Sequence, residues 1–175
     1  ESPFYTFQQA ESFFGSLKDK KIALLGVAYR FNSEDTRNSP TLSLANYLRA
    51  YRISYTMHDM YVKKDDQNLL TFNQESHFTR DLGEALEDAD FVFMCTAHKN
   101  YIDEINKVLT YNKIKGVMDA CNIYNTDMFK SSHILYNGIG RGTEKPDSEF
   151  INFVYESFRA MEEGLGIELL SLIEF

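Results

Sequence analysis

Short apolar runs alternate along this chain with longer segments in which apolar residues recur every three or four positions. Unbroken apolar runs are typical of strands buried on both faces of a parallel sheet, and alternating runs are typical of half-buried strands. The predicted strands are residues 22–25, 53–58, 78–79, 91–95, 116–118 and 134–136. The predicted helices are residues 2–17, 42–51, 81–89 and 101–109. Their alternation predicts an α/β fold with a doubly wound, mainly parallel sheet flanked by helices.

Capping residues mark the start of two of these helices. Ser39 is the predicted N-cap of the second helix, and Pro40 occupies its first helical position. Asp81 is the predicted N-cap of the third helix, with Glu84 in the capping-box position. The polar segment 63–74 has no clear periodicity and is predicted to be an irregular surface excursion.

A helix precedes the first strand, and the composition changes after Gly142, which suggests a division into parts. Residues 1–17 are predicted to be a linking helix, residues 18–142 a Rossmann-like domain, and residues 143–175 a C-terminal helical appendage. The first helix either ties the domain to a preceding one or simply covers a sheet edge. Within the appendage, residues 147–163 have the broad apolar face of a helix, and residues 167–175 suit a terminal strand or short helix. The appendage serves either docking or dimerisation, or it packs on its own chain.

Length, charge and cysteine content exclude several classes of protein. The chain has 175 residues and a net charge of −8, and this acidic balance argues against a nucleic-acid-binding protein. Cys95 and Cys121 are too few for a disulfide framework, so we expect a reduced, cytoplasmic setting. No apolar run approaches the roughly 20 residues that span a bilayer, so no membrane association is expected. Because the sequence begins at Glu1 without methionine, we expect a fragment of a longer protein.

The loops that follow the strands are the candidate functional region. Right-handed crossovers bring the carboxyl ends of parallel strands to one edge of the sheet, where ligands of such folds bind. The sequence therefore predicts that the loops near Tyr29, Asp59, Thr96 and Cys121 lie together at this edge.

The loop after the first strand does not carry a dinucleotide fingerprint. That fingerprint is Gly-x-Gly-x-x-Gly, and here only Gly26 is present, with Ala28 and Phe31 at the other two glycine positions. Asp59 ends the second strand, where an acidic residue can bind a ribose, but without the glycines this interpretation is weak. The pattern favours a Rossmann-like sheet without a dinucleotide site of its own.

The same loop carries charged residues that suit a phosphate. Arg30 and Arg37 provide guanidinium groups, which match phosphate oxygens, and Glu34 and Asp35 lie between them. The alternative, mutual pairing of these charges in a solvated loop, contributes little energy. The sequence leaves both interpretations open.

Cysteine and histidine residues near the strand ends give weaker signals. Cys121 follows a strand, but no histidine is paired with it in sequence, so an inert, partly buried thiol is favoured over a nucleophile. Cys95 is predicted to be a core residue. His98 follows the central strand and either contacts a ligand or, more commonly for such a residue, is a surface or capping histidine. The histidines show no metal-ligand spacing.

The run Leu-Gly-Val-Ala-Tyr-Arg-Phe-Asn-Ser-Glu-Asp-Thr-Arg-Asn-Ser-Pro, residues 25–40, resembles a motif of a known family. Its pattern is Leu-Gly-x-Ala-Phe-Lys-x-x-Thr-x-Asp-x-Arg-x-Ser-Pro, and it belongs to the UDP-binding C-terminal domain of the UDP-glucose/GDP-mannose dehydrogenases. The resemblance continues in order through residues 55–61, 91–98, 118–124 and 137–141. It spans about residues 17–142 and leaves the tail outside.

The resemblance implies roles for individual residues. Tyr29 and Arg30 stand where the family's Phe-Lys pair meets the nucleotide sugar, and Arg37 stands where an arginine reaches the NAD pyrophosphate. Cys121 stands where the family has a substrate-contacting arginine, and a thiol cannot replace a guanidinium. Either another sugar is bound, or Arg141 or a neighbouring chain supplies the charge. Neither cysteine inherits the catalytic nucleophile, which in this family lies in the middle domain.

The resemblance therefore implies the nucleotide-sugar-binding domain of an NAD-dependent nucleotide-sugar 6-dehydrogenase, which oxidises UDP-glucose or a UDP-N-acetylhexosamine to the uronate. The catalytic domains are absent from this chain, so the chain alone is expected to be inactive, and NAD is expected to be bound mainly by the missing N-terminal domain. A homo-oligomer is expected. Two alternatives stay open: a stand-alone, non-catalytic nucleotide-sugar-binding or assembly module, and a Rossmann-like domain for another nucleotide.

Overall fold

A computed structural model describes residues 3–139 of the chain, which form a six-stranded sheet flanked by helices. The strands are β1 (Lys21–Leu25), β2 (Ser54–His58), β3 (Phe78–Thr79), β4 (Phe91–Met94), β5 (Gly116–Asp119) and β6 (Leu135–Gly138). The helices are α1 (Pro3–Phe14), α2 (Pro40–Ala50), α3 (Gln67–Thr71), α4 (Leu82–Leu86), α5 (Lys99–Asp103) and α6 (Ile105–Leu109). Two 3₁₀ turns complete the set at Glu75–His77 and Thr126–Phe129.

All strand pairs in the sheet are parallel, and the strand order is β3-β2-β1-β4-β5-β6. β1 is central: Ile22 lies opposite Tyr55 of β2 on one side and opposite Phe91 of β4 on the other. From β1 the chain adds β2 and β3 on one side and then returns to add β4, β5 and β6 on the other side. The boundary between β1 and β4 is therefore the switch point, where Rossmann-like sheets bind ligands. The predicted doubly wound α/β fold is confirmed, and the strand-end loops meet at one edge as expected.

Two apolar cores cover the two faces of the sheet. On one face, α1 and α2 pack over Ile22, Leu24 and Met57. On the other face, α4, α5 and α6 pack over Ala23 and Leu25. Alternate residues of β1 thus enter opposite cores, which explains why the sequence of this strand is apolar without interruption.

The first helix packs on the sheet domain itself. Phe4 and Phe7 of α1 each approach the ring of Tyr47 on α2 with a centroid distance of 5.2 Å. At the other end of α1, Phe14 lies 5.0 Å from Phe91. It also lies over Gly116, where an added Cβ would come within 2.6 Å of the Phe14 ring. The helix therefore covers one face of the sheet, and its linking role stays a prediction.

The N-cap residues predicted for α2 and α4 are confirmed. Ser39 accepts a hydrogen bond from the Leu42 N–H at the start of α2, and Pro40 is the first residue of that helix. Asp81 accepts from the Glu84 N–H at the start of α4. The capping box is only half formed, because the Glu84 carboxylate accepts from the Thr79 hydroxyl instead of the Asp81 N–H.

Three local predictions need correction. The excursion at 63–74 contains the short helix α3, which is stabilised by the N-cap Asp66 and by burial of Leu69. The helix predicted at 101–109 is divided into α5 and α6 at Glu104, whose φ of −101° and ψ of 9° leave the helical region. Cys95 lies just beyond β4 and is half-buried, so it is not a core strand residue.

The C-terminal appendage lies outside the described residues. Contacts divide the chain into Glu1–Arg141 and Gly142–Phe175. The helix predicted at 147–163 and the final element at 167–175 belong to the second unit and stay predictions. Within residues 3–139, no helix has the length and apolar character needed to cross a bilayer.

Candidate functional site

The turn that follows β1 begins at a glycine that no other residue can replace without strain. Gly26 has a φ of +98°, a conformation that L-residues rarely adopt. A Cβ at this position would lie 2.4 Å from the Thr96 Cβ and 2.6 Å from the Thr96 N. The glycine therefore allows the loop after β1 to approach the loop after β4 at the switch point.

The backbone N–H groups of residues 26–28, here called the β1 turn, are all bound within the protein. Gly26 N–H donates to the carbonyl of His58 at 2.8 Å. Val27 N–H and Ala28 N–H both donate to Oδ2 of Asp59, at 2.8 and 2.9 Å. The end of β2 thus supplies the acceptors for the whole turn.

The carbonyl groups of the β1 turn are bound as well, in each case by a side-chain hydroxyl. The three hydrogen bonds run from Thr41 to the Gly26 carbonyl (2.8 Å), from Ser39 to the Val27 carbonyl (2.5 Å) and from Thr96 to the Ala28 carbonyl (2.7 Å). A dinucleotide fingerprint works by presenting free backbone N–H groups to a pyrophosphate. Here those groups already bind the Asp59 carboxylate, so the turn does not fit the pyrophosphate of NAD.

A buried Asp59–His98 pair lies beneath this turn. Neither side chain is exposed, and His98 Nε2 lies 2.9 Å from Asp59 Oδ2. Because His98 Nδ1 accepts from the Asn32 N–H at 2.8 Å, the ring proton is on Nε2 and is donated to Asp59. Burial alone would raise the pKa of Asp59, but hydrogen bonds from His98 and from the Ala28 and Tyr61 N–H groups lower it overall.

The segment that follows the β1 turn projects into solvent. Tyr29 is 53% exposed and Phe31 is 68% exposed, and Arg30 between them is also exposed. Within residues 3–139, Arg30 forms no ion pair closer than 4.0 Å. The structure therefore places the predicted substrate-binding residues Tyr29 and Arg30 at the carboxyl edge of the sheet, facing outward.

Arg37, the predicted cofactor contact, is engaged by a neighbouring carboxylate. Its Nε and Nη2 atoms donate to the two oxygens of Asp35 at 2.9 and 2.7 Å. This hydrogen bonding lowers the pKa of Asp35 to about 2, with a smaller electrostatic contribution from Arg30. The Arg37 side chain is 81% exposed, so the pair itself contributes little to stability. Its remaining nitrogen, Nη1, makes no hydrogen bond within the described residues.

Cys121 follows β5 on the same edge, in a loop held by the buried Asp119. Asp119 Oδ1 accepts from the Cys121 N–H at 3.0 Å, and Oδ2 accepts from the Tyr136 hydroxyl at 2.6 Å. The Cys121 thiol lies 3.5 Å from the Met94 carbonyl. Burial raises its pKa to about 12, so the side chain is a neutral thiol and not a nucleophilic thiolate.

A cavity of about 370 Å³ lies on the α1–α2 side of this edge. Its described lining is mixed in polarity and comes from the helix starts and strand ends: Pro3, Thr6, Pro40, Thr41, Leu44, Cys95, Ala120, Asn122 and Ile139. None of Tyr29, Arg30, Arg37 or Cys121 belongs to this lining, whereas Cys95 does. Burial raises the pKa of the Cys95 thiol, which is therefore also protonated at neutral pH. Within residues 3–139, no cluster of histidine, cysteine or acidic residues suits a metal ion.

Sequence reasoning missed the roles of the buried groups at this edge. Asp59 was considered as a ribose acceptor, and His98 as a surface or capping residue more often than a ligand contact; Asp119 was not considered. His98 does lie at the N-cap position of α5, but its side chain makes no capping hydrogen bond. Each instead binds backbone groups of a loop. The available signal was position: an acidic residue directly after a buried parallel strand lies next to the loop amides of neighbouring strands.

Solved structures share this fold. UDP-D-ManNAc dehydrogenase from Pyrococcus horikoshii matches 81% of the chain with a TM-score of 0.63 at 24% identity, and the match covers 31% of that protein. GDP-mannose dehydrogenase from Pseudomonas aeruginosa matches 77% of the chain with a TM-score of 0.59 at 19% identity, and the match covers 31% of that protein.

Curated relatives and a family model give the family. UDP-glucose 6-dehydrogenase TuaD of Bacillus subtilis is 26% identical over 141 residues, which are 78% of this chain and 30% of that protein. UDP-N-acetyl-D-mannosamine dehydrogenase of Methanococcus vannielii is 26% identical over 134 residues, covering 73% of this chain and 28% of that protein. The chain thus spans about a third of the length of these relatives. The model described as UDP-glucose/GDP-mannose dehydrogenase family, UDP binding domain, matches residues 23–126, and the chain belongs to this family as its C-terminal UDP-binding domain.

Proposed function

We propose that this domain binds a nucleotide sugar at the carboxyl edge of its sheet and does so through side chains, not through the backbone of the β1 turn. The observation that carries the proposal is the closed β1 turn, whose N–H groups bind the Asp59 carboxylate and the His58 carbonyl. A diphosphate at this edge needs another source of positive charge. Arg30 is exposed on the same edge and forms no ion pair within the described residues, so its guanidinium is available for two phosphate oxygens.

In this proposal the neighbouring residues have distinct roles. Tyr29 lines the sugar end of the ligand, where its exposed ring offers an apolar face and a hydroxyl. Cys121 lies beside the ligand as a neutral group, so it contributes shape and not charge. Arg37 approaches the cofactor from its place beside Asp35, and its Nη1 group provides the contact. NAD itself is bound mainly by a domain outside this chain, because the β1 turn does not fit a pyrophosphate.

The parent protein that we propose is an NAD-dependent nucleotide-sugar 6-dehydrogenase, acting on UDP-glucose or a UDP-N-acetylhexosamine and working as a homo-oligomer in the cytoplasm. The family and the names of the relatives support this class. Oxidation takes place in the other domains, so the chain alone does not reduce NAD⁺. Such an enzyme supplies uronate-bearing nucleotides to polysaccharide synthesis.

One observation favours a second candidate, a nucleotide-sugar-binding module without catalysis. Cys121 is a neutral thiol at a position where the family resemblance implies an arginine. The gene upstream of this segment distinguishes the two. The dehydrogenase requires an upstream domain that opens with Gly-x-Gly-x-x-Gly, whereas the module does not.

The proposed site is tested by titrating the 175-residue chain with UDP, UDP-glucose, GDP and NAD⁺ in a calorimeter. We expect UDP and UDP-glucose to bind, and Arg30→Ala to raise the Kd of UDP at least about tenfold, because a charged hydrogen bond to phosphate is lost. Arg52→Asn is the matched control: it removes the same charge from an exposed arginine before β2, at the opposite edge, and Asn tolerates the φ of 58° there. Equal Kd values for Arg30→Ala and the unmodified chain would remove Arg30 from the site.

A further inference from the structure

We propose that the buried Asp59–His98 pair positions the exposed segment 29–31, here called the binding segment, for nucleotide-sugar recognition. Both are positioning residues, since neither side chain reaches the surface. This inference rests on the proposed function, because the binding segment carries Tyr29 and Arg30. It assigns a role to Asp59 and His98 that differs from the ribose contact considered for Asp59 and from the surface or capping position considered for His98 on sequence grounds.

The two residues fasten the two ends of the binding segment. Before the segment, Asp59 Oδ2 accepts from the Val27 and Ala28 N–H groups at 2.8 and 2.9 Å. After the segment, His98 Nδ1 accepts from the Asn32 N–H at 2.8 Å. Because His98 Nε2 donates to the same Asp59 oxygen at 2.9 Å, both ends are joined to one buried cluster.

The junction at Asn32 needs this support. Asn32 has a φ of +51°, in the left-handed region, where the chain turns back toward the sheet. Its side-chain oxygen accepts from the Lys99 N–H at 3.2 Å and lies 3.4 Å from the Tyr61 hydroxyl. The centroid of the Tyr61 ring in turn lies 4.9 Å from that of the His98 ring. Backbone and side chain of Asn32 are thus both held by the loops after β2 and β4.

Fixing both ends of so short a segment limits the directions in which its side chains can point. A ligand that binds a fixed loop does not have to order it first, and this saving of conformational entropy appears as affinity. Tyr29 N–H also donates to the Asp35 carbonyl at 2.7 Å, which holds the first residue of the segment from the solvent side. The buried pair therefore sets where Arg30 stands before a diphosphate arrives.

Two substitutions at His98 separate its two hydrogen bonds. His98→Gln retains an N–H donor near the Nε2 position but has no acceptor near Nδ1, so Asn32 loses its partner. His98→Asn retains an acceptor near the Nδ1 position but does not reach Asp59. His133→Gln and His133→Asn are matched controls at an exposed histidine beyond the site.

The test measures amide hydrogen exchange by NMR and the Kd of UDP for each variant of the 175-residue chain. We expect His98→Gln to speed exchange at the Asn32 N–H and to raise the Kd of UDP about threefold to tenfold, the factor for one lost hydrogen bond. His98→Asn, as the rescuing variant, should retain protection of Asn32 and stay closer to the unmodified Kd. A purely structural histidine would instead change global unfolding in both variants without this difference at Asn32.

The outcomes distinguish this inference from the proposed function. If the unmodified chain binds UDP and Arg30→Ala weakens it, but His98→Gln binds UDP equally well, the positioning role is wrong and the site stands. If the unmodified chain does not bind UDP, the proposed function is wrong. In that case, faster exchange of the Asn32 N–H in His98→Gln still supports the role of His98 in holding the binding segment, whereas unchanged exchange overturns that role. If both variants unfold, long-range ¹H–¹⁵N spectra of the unmodified chain decide: a proton on Nε2 supports the pair, and a proton on Nδ1 overturns it.

Discussion

The substitution Asp59→Asn tests whether a carboxylate holds the β1 turn. Asp59 is fully buried, and its two oxygens accept five hydrogen bonds. Oδ2 accepts from Val27 N–H, Ala28 N–H and His98 Nε2, and Oδ1 accepts from Tyr61 N–H and Val62 N–H. Asparagine has the same shape but replaces one oxygen by an NH₂ group, which cannot accept a hydrogen bond from a backbone N–H.

The expected cost follows from this count of donors. With the asparagine oxygen in the place of Oδ2, the NH₂ group faces the N–H groups of Tyr61 and Val62; the reverse orientation leaves more donors unpaired. An unsatisfied buried donor costs about 1–3 kcal/mol; the Val62 N–H is buried and the Tyr61 N–H is partly buried, so the two together cost about 2–4 kcal/mol. This is a large share of the roughly 5–15 kcal/mol by which a domain of this size is stable.

Urea unfolding of the chain, followed by circular dichroism at neutral pH, measures this loss. Asp90→Asn is the control, because within the described residues the Asp90 carboxylate accepts one hydrogen bond, from Lys21 N–H at 2.9 Å. The asparagine oxygen can still accept this bond, so the replacement should cost less than about 1 kcal/mol. If Asp59→Asn destabilises the chain no more than Asp90→Asn, the carboxylate does not hold the turn.

The same variant predicts a change in pH dependence. The pKa of Asp59 is lower in the folded chain than its unfolded value of about 3.9, so its contribution is complete above that value and is lost as the pH falls through the folded pKa. Asp59→Asn removes this component. The free energy of unfolding should therefore fall less steeply in the variant than in the unmodified chain as the pH drops below about 4. Parallel curves for the two proteins would contradict the reasoning.

Three further substitutions test the surroundings of the site. Gly26→Ala should lower the free energy of unfolding in urea by about 2–5 kcal/mol, because the new Cβ clashes with Thr96 and the positive φ is strained. Gly15→Ala has a φ of +89° but open space around the Cβ, so it should cost about 1–3 kcal/mol; equal losses would refute the clash with Thr96. Burial lowers the pKa of His58 in the folded chain, so stability is lost as the pH falls below the pKa of about 6.5 that this histidine has in the unfolded chain. His58→Gln removes this loss, so its Tm should fall less than that of the unmodified chain between about pH 7 and pH 5; an unchanged pH profile would contradict this. Ser39→Ala should lower the free energy of unfolding by about 2 kcal/mol, because the N-cap of α2 and the hydrogen bond to the Val27 carbonyl are both lost. Ser43→Ala, on the exposed face of α2, is the control and should be near neutral; equal effects would show that Ser39 does not stabilise the helix start.

The fold could be predicted from the sequence because its main signals are local. The central strands are apolar without interruption since both of their faces are covered, and the range predicted for each differs from the structure by one residue at one end. The short helix α3 could not be predicted, because five residues with a single buried leucine show no period. The division between α5 and α6 at Glu104 was equally invisible, since the apolar residues continue across it.

The meeting of the strand-end loops at one edge of the sheet could also be predicted, but the hydrogen bonds among them could not. Topology alone brings the loops after β1, β2, β4 and β5 to one edge. Whether Asp59 binds a ribose or the amides of its own protein depends on how closely the loop after β1 approaches it, which no sequence pattern states. The same holds for His98: its ring is fully buried, with the Tyr61 and Tyr101 rings and the turn at Asn32 against it, and these contacts join segments distant in sequence.

In each half of the sheet, a buried aspartate at the end of a strand binds the backbone N–H groups of a loop, and this limits where a diphosphate can bind. Asp59 follows β2 and Asp119 ends β5; both are fully buried, and each accepts backbone N–H groups of a loop at the carboxyl edge. At the β1 turn, the Asp59 carboxylate thus occupies the position at which a dinucleotide-binding fold would offer free amides to phosphate. A second anion brought to the same amides would meet both a lost hydrogen bond and a like charge. In the proposed site the diphosphate therefore lies farther out. Of the two arginines in the loop after β1, Arg37 is already paired with Asp35, so Arg30 is the one that we propose binds it.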